Sequence, residues 1–145
     1  DKASQDFRAS QPGWAAPEAG THVQTQPITD GPVTAWQKAM ALAAESYRLT
    51  AAFPAEERYG LTAQIRRCAV SIPSNLAEGH NRRSRQAFSN HVGIALGSQA
   101  ELETQIALAV RLEFVTQAAA APVLELAAEV GRLLHGLVRS LENAA

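Results

Sequence analysis

Phe88, Val92, Ala95, Gln99, Leu102, Ile106 and Ala109 recur at steps of four, three, four, three, four and three residues. That spacing keeps one side chain of each turn on a single helical face for about three heptads. A helix this long buries such a stripe only against another element, so the chain must contain at least one extended helix with a packed partner. No segment alternates apolar and polar residues in the manner of a half-buried strand.

The same logic organises the rest of the chain. Val33, Trp36, Met40, Ala43 and Tyr47 predict a first helix over about residues 33–52, opened by Asp30-Gly31-Pro32. Phe53-Pro54 stops it, because the residue before a proline avoids helical dihedrals. Leu61, Ile65, Cys68 or Ala69, Ile72 and Leu76 make the stripe of a second helix, with Gly79 as its expected end. Ser84 suits the cap of the third, and beyond Phe114 a turn over residues 116–122 leads to a fourth carrying Val123, Leu126, Val130, Leu133, Leu137 and Leu141. Short connections make consecutive helices neighbours, which predicts an all-α, antiparallel up-down-up-down four-helix bundle over residues 33–145. Residues 1–32 hold Pro12, Pro17, Pro27, Pro32, Gly13, Gly20 and Gly31 without any period, and read as an irregular, flexible N-terminal tail. Ile94, Leu96, Val110, Leu124, Leu134 and Val138 fall outside one narrow seam, so a second buried face and self-association are expected.

Composition narrows the functional classes. With 145 residues, 46% of them apolar, the chain can fill one core. A net charge of -1 and a pI near 6.5 argue against wholesale polyanion binding. Cys68 is the single cysteine, which excludes an intramolecular disulfide and a cysteine-based zinc site and fits a reducing compartment, so a cytoplasmic location is expected. No apolar run reaches membrane-spanning length and no signal peptide is recognisable, so no membrane partner is expected. With Asp1 at the start and Met40 as the sole methionine, the chain is expected to be a fragment, a processed form or a tagged form.

Catalytic constellations are lacking. None of His22, His80, His91 and His135 stands three residues after a glutamate, as a bundle di-iron site requires. Cys68 lies on an apolar stripe and reads as an inert buried thiol, while glycine-rich phosphate loops and a Gly-x-Ser-x-Gly elbow are missing. The expectation is a non-enzymatic protein with no catalytic residue, metal or cofactor.

Two polar groupings remain. Arg66, Arg67, Arg82, Arg83 and Arg85 face only Glu78 as a counter-charge within residues 66–85, and make a candidate nucleic-acid or anion site, aided by a helix N-terminus at Ser84. Ser71, Pro73, Ser74, Asn75 and Glu78, set against Gly97, Ser98, Glu101, Glu103 and Gln105, make a structural polar network. Pro73 removes one helical hydrogen bond at a cost of about 3 kcal/mol and orphans the Ala69 carbonyl. Ser98 or Asn75 is expected to satisfy that carbonyl, and Glu78 or Glu101 to pair with Arg66 or Arg67.

Phe53-Pro54, Glu57, Leu61, Gln64-Ile65-Arg66-Arg67, the run from Ser71 to Gly79, Arg82, Phe88 and Gly97-Ser98-x-x-Glu101-Leu102-Glu103-Thr104-Gln105 closely resemble a bacterial family encoded in 23S rRNA intervening sequences. The resemblance covers about residues 36–142 and implies a four-helix bundle and a ring-like homopentamer. Ala128-Glu129-Val130-Gly131-Arg132-Leu133-Leu134 also resembles the accessory variability determinant of diversity-generating retroelements, a pentameric barrel that binds a reverse transcriptase and nucleic acid. Two functional readings follow. The first is a homopentameric scaffold or interaction module that binds other proteins. The alternative is an accessory protein that binds RNA or DNA through the arginines, similar to a reverse-transcriptase accessory subunit.

Overall fold

The computed structural model describes residues 31–143, so residues 1–30 of the expected tail lie outside the described residues. Four helices account for the fold: α1 (Pro32–Thr50), α2 (Leu61–Asn81), α3 (Arg85–Arg111) and α4 (Gln117–Asn143). A short 3-10 turn, Ala55–Glu57, lies between α1 and α2, and no strand occurs among the described residues. Pro32 is the first residue of α1 rather than the last of the tail, because a proline at that position forgoes an N–H that has no helical partner anyway. Each helix packs on its neighbours in sequence and α1 closes on α4, giving the up-down-up-down bundle.

The α2 stripe is buried as its spacing predicts, through Leu61, Ile65, Cys68, Ala69, Ile72 and Leu76. The α3 stripe is buried from Val92 to Ala109, with Phe88 half-buried at its start. In α1 the expected stripe is corrected. The core takes Ala35, Ala39, Leu42, Ser46 and Leu49, whereas Met40 and Tyr47 stay 40% and 45% exposed. Small residues let α1 approach its neighbours closely, and burying Ser46 is tolerated because its hydroxyl donates to the Leu42 carbonyl at 2.8 Å. In α4, Val123, Val130 and Leu137 are buried with Ala127 and Leu134, while Leu126 and Leu133 flank the core. Of the expected second face, Leu134 joins the core, Leu96, Val110, Leu124 and Val138 line its rim, and Ile94 is 53% exposed.

Helix α2 runs through buried Pro73 and continues two residues past Gly79, which corrects the expected end. Gly79 has a packing reason instead: a Cβ there would stand 2.5 Å from the His91 Cβ. At one end of the bundle Phe53 and Phe114 join the α1–α2 and α3–α4 connections, with ring centroids 5.9 Å apart. The opposite end carries the tight α2–α3 turn, where Ser84 Oγ accepts from the Ala87 N–H as the expected cap.

Candidate functional site

The α2/α3 seam holds a continuous polar chain. Asn75 Nδ2 donates to the Ser71 carbonyl at 2.8 Å and to Ser71 Oγ at 3.0 Å. That fixes its amide orientation, so Asn75 Oδ1 faces His91 Nδ1 at 3.0 Å and Nδ1 carries the proton. Ser71 Oγ meets Ser98 Oγ at 2.9 Å, and the Cys68 thiol donates to the Ser98 carbonyl at 2.9 Å. Asn75 thus serves the Ser71 carbonyl rather than that of Ala69, because its side chain reaches back one turn from its own position. Exposed Ser74 stands outside the chain.

Beside this seam lies a cleft of about 310 Å³ lined by Gln64, Arg67, Cys68, Ser71, Ser98 and Glu101. Burial, and then the Glu101 carboxylate, push the Cys68 thiol up to about 12, so at neutral pH it is a hydrogen-bond donor and no nucleophile. Gln105 donates to Glu101 Oε1 at 3.1 Å and is itself 8% exposed, with its Oε1 lacking a hydrogen-bond partner. The expected ion pairs are replaced. Glu78 pairs with Arg82 one turn along α2 at 3.0 Å, and Glu101 is held by Gln105. Glu103 belongs to the opposite seam, where buried Gln99 donates to it at 2.6 Å and to the Ala127 carbonyl at 2.9 Å.

The five arginines do not form one patch. Fifteen residues of α2 separate Arg67 from Arg82, which at 1.5 Å per residue is about 22 Å. Arg66 turns towards α1, donating to Thr50 Oγ1 at 2.9 Å and the Tyr47 carbonyl at 3.3 Å, with its guanidinium 4.5 Å from the Tyr47 ring centroid. It closes the C-terminal turn of α1. Arg67 turns the other way, into the cleft. Only Arg82, Arg83 and Arg85 share the α2–α3 turn, exposed, with Arg83 in the left-handed region at φ 56.

Sequence pattern names His91 only among the histidines weighed for metal or proton chemistry and Gln64 only within the family resemblance, and gives neither a place in the seam or the cleft. The pairing of Asn75 and Gly79, four apart on one face of α2, is the signal for a side chain packed across both. Among the described residues no group of three potential ligands can hold a metal, and no helix is long and apolar enough to cross a membrane.

The helix order and the polar α2/α3 seam define an all-α four-helix bundle whose specific residues sit between its second and third helices. The chain belongs to the 23S rRNA-intervening sequence protein family, whose family model matches residues 32–136. Among solved structures it is similar to a protein of unknown function from the S23 ribosomal protein family of Bacteroides thetaiotaomicron, at 23% identity and a TM-score of 0.67. That match covers 74% of this chain and 97% of the other, and shows the shared fold. No curated protein matches this chain. In the segment from Ala128 to Leu134, Val130, Gly131 and Leu134 are buried, Gly131 against Gln99, while Arg132 is exposed and Glu129 pairs with Lys38 at 3.3 Å.

Proposed function

We propose that the protein is a non-enzymatic scaffold that assembles into a homo-oligomeric ring, the homopentamer that its family resemblance implies, with the outer face of α3 as one joining surface. The observation that carries this reading is the pair Gly93 and Gly97. Each mid-helix glycine costs about 1 kcal/mol relative to alanine. A Cβ at either position would meet nothing within 4 Å, so packing within the chain gives no reason for them. Gly79 and Gly131, by contrast, each face a side chain that a Cβ would strike. Exposed Ile94 and Leu108 share the α3 face with the two open glycines. A second, unlike apolar surface, Met40, Tyr47 and Val70, lies on the α1/α2 flank. Two different surfaces on different flanks suit head-to-tail pairing, which closes into a ring where the rotation between neighbours divides a full turn.

Light scattering after size exclusion tests the assembly. The expected result is a multiple of 15.5 kDa for the unaltered chain. Gly97→Ala is expected to shift the mass towards 15.5 kDa while raising the helix stability of the monomer by up to ~1 kcal/mol. An unaltered chain that runs as a monomer overturns the reading.

A second reading, RNA or DNA binding, is favoured by the three exposed arginines gathered at the α2–α3 turn, which a ring would repeat in every copy. Titration of labelled single-stranded and structured RNA across a salt series checks it. Changing Arg82, Arg83 and Arg85 together to Ala should flatten the log-log salt slope by about 2, at roughly 0.7 per phosphate contact. Binding that ignores salt rejects it.

A further inference from the structure

We infer that the α2/α3 cleft binds a small zwitterion, an amino acid in the chemical sense, with its carboxylate on the Arg67 and Ser98 side and its ammonium on Glu101. The cleft has a cation on one wall and an anion on the other. Arg67 and Gln64 belong to α2 and Glu101 to α3, with Cys68, Ser71 and Ser98 completing the lining. Arg67 and Glu101 form no ion pair with each other, and Arg67 has no other partner among the described residues. A ligand with one charge would satisfy one wall and face repulsion from the other. A ligand with both charges satisfies both.

The hydroxyls add direction. Asn75 already donates to Ser71 Oγ, and the Ser71 and Ser98 hydroxyls share one hydrogen bond. Two hydroxyl protons serve one link, and neither hydroxyl has a further acceptor among the described residues, so one O–H of the pair is left to donate into the cleft. Gln105 in turn holds Glu101 Oε1, which leaves the other carboxylate oxygen for an incoming ammonium. The cleft volume of about 310 Å³ is that of some ten waters at about 30 Å³ each, room for a molecule of amino-acid size. The Cys68 thiol donates to the Ser98 carbonyl and, raised by burial and by Glu101, keeps its proton at neutral pH, so the site binds without reacting.

The test is an NMR titration of the full chain with glycine, β-alanine and γ-aminobutyrate, three zwitterions of increasing charge separation, with acetate and methylammonium as single-charge controls. At least one zwitterion should give saturable shifts at the Gln64, Ser98 and Gln105 amides, while both controls at equal concentration should not. Arg67→Ala and Glu101→Gln, both at exposed positions and checked for folding by circular dichroism, should each weaken binding at least tenfold. Ser98→Ala should weaken it about threefold. Both walls belong to one chain, so Gly97→Ala should bind as well as the unaltered protein even where it breaks the assembly. No saturable response to any of the three zwitterions overturns the inference. Equal responses to the single-charge controls, or binding that survives both wall substitutions, overturn it too.

Discussion

Asn75 accepts on one side and donates on the other, and no aliphatic side chain of its size can do either. Asn75→Ala strands His91 Nδ1 and takes a donor from the Ser71 carbonyl and hydroxyl at a half-buried seam, for an expected loss of about 1–3 kcal/mol in denaturant unfolding. Asn75→Asp should not rescue it, because a carboxylate has no N–H for the Ser71 carbonyl. Cys68 gives a prediction in pH. Its thiol is raised from 9.0 to about 12 in the folded chain, first by burial and then by Glu101. Well below pH 9 both folded and unfolded chains keep the proton, and the contribution of Cys68 to stability is constant. Between 9 and about 12 only the unfolded chain releases it, so stability falls as pH rises through that window. Thermal melts of the native chain should therefore decline more steeply there than those of Cys68→Ala, and at pH 8 thiol reagents should label the unfolded chain far faster than the folded one.

At the scale of the helix, the positions that decide packing are often the small ones. Gly79→Ala would set a Cβ 2.5 Å from the Cβ of His91, an atom near the backbone that cannot swing aside. Helix α2 and helix α3 would have to separate locally. The expected cost is about 1–3 kcal/mol, read as a lowered midpoint in thermal or urea unfolding, despite alanine's better helix propensity. This is also where sequence pattern reaches its limit. The α2 and α3 stripes were legible because their large apolar residues and their buried residues coincide. In α1 two interleaved series share the 3-4 spacing, and pattern reading follows Trp36, Met40 and Tyr47, the larger side chains. Packing chose Ala35, Ala39 and Ser46, since close approach favours small residues over bulk. The polar seam was legible as a set, through Ser71, Asn75, Ser98 and Glu101. Its wiring was not: which residue of α3 faces Asn75 depends on the register between two helices, and that register is set by contacts such as Gly79 on His91. The single arginine patch failed for a related reason, since adjacency in sequence along a helix becomes distance along its axis.

For the molecule as a whole, the bundle has two unlike ends. Phe53 and Phe114 clamp two connections together at one end, and the other carries the turn of Arg82, Arg83 and Arg85. Between them the flanks also differ, with an apolar α1/α2 side, a polar α2/α3 cleft and an open-glycine α3 face, so a ring of such units would present the same end of every copy on one rim. An even number of antiparallel helices brings the chain back to the end where it began. Gly31 and Asn143 therefore both stand at the arginine end, so the described chain both enters and leaves the bundle beside that turn. A reporter placed at the clamped end, on an exposed residue such as Glu56, leaves the arginine end of the bundle open.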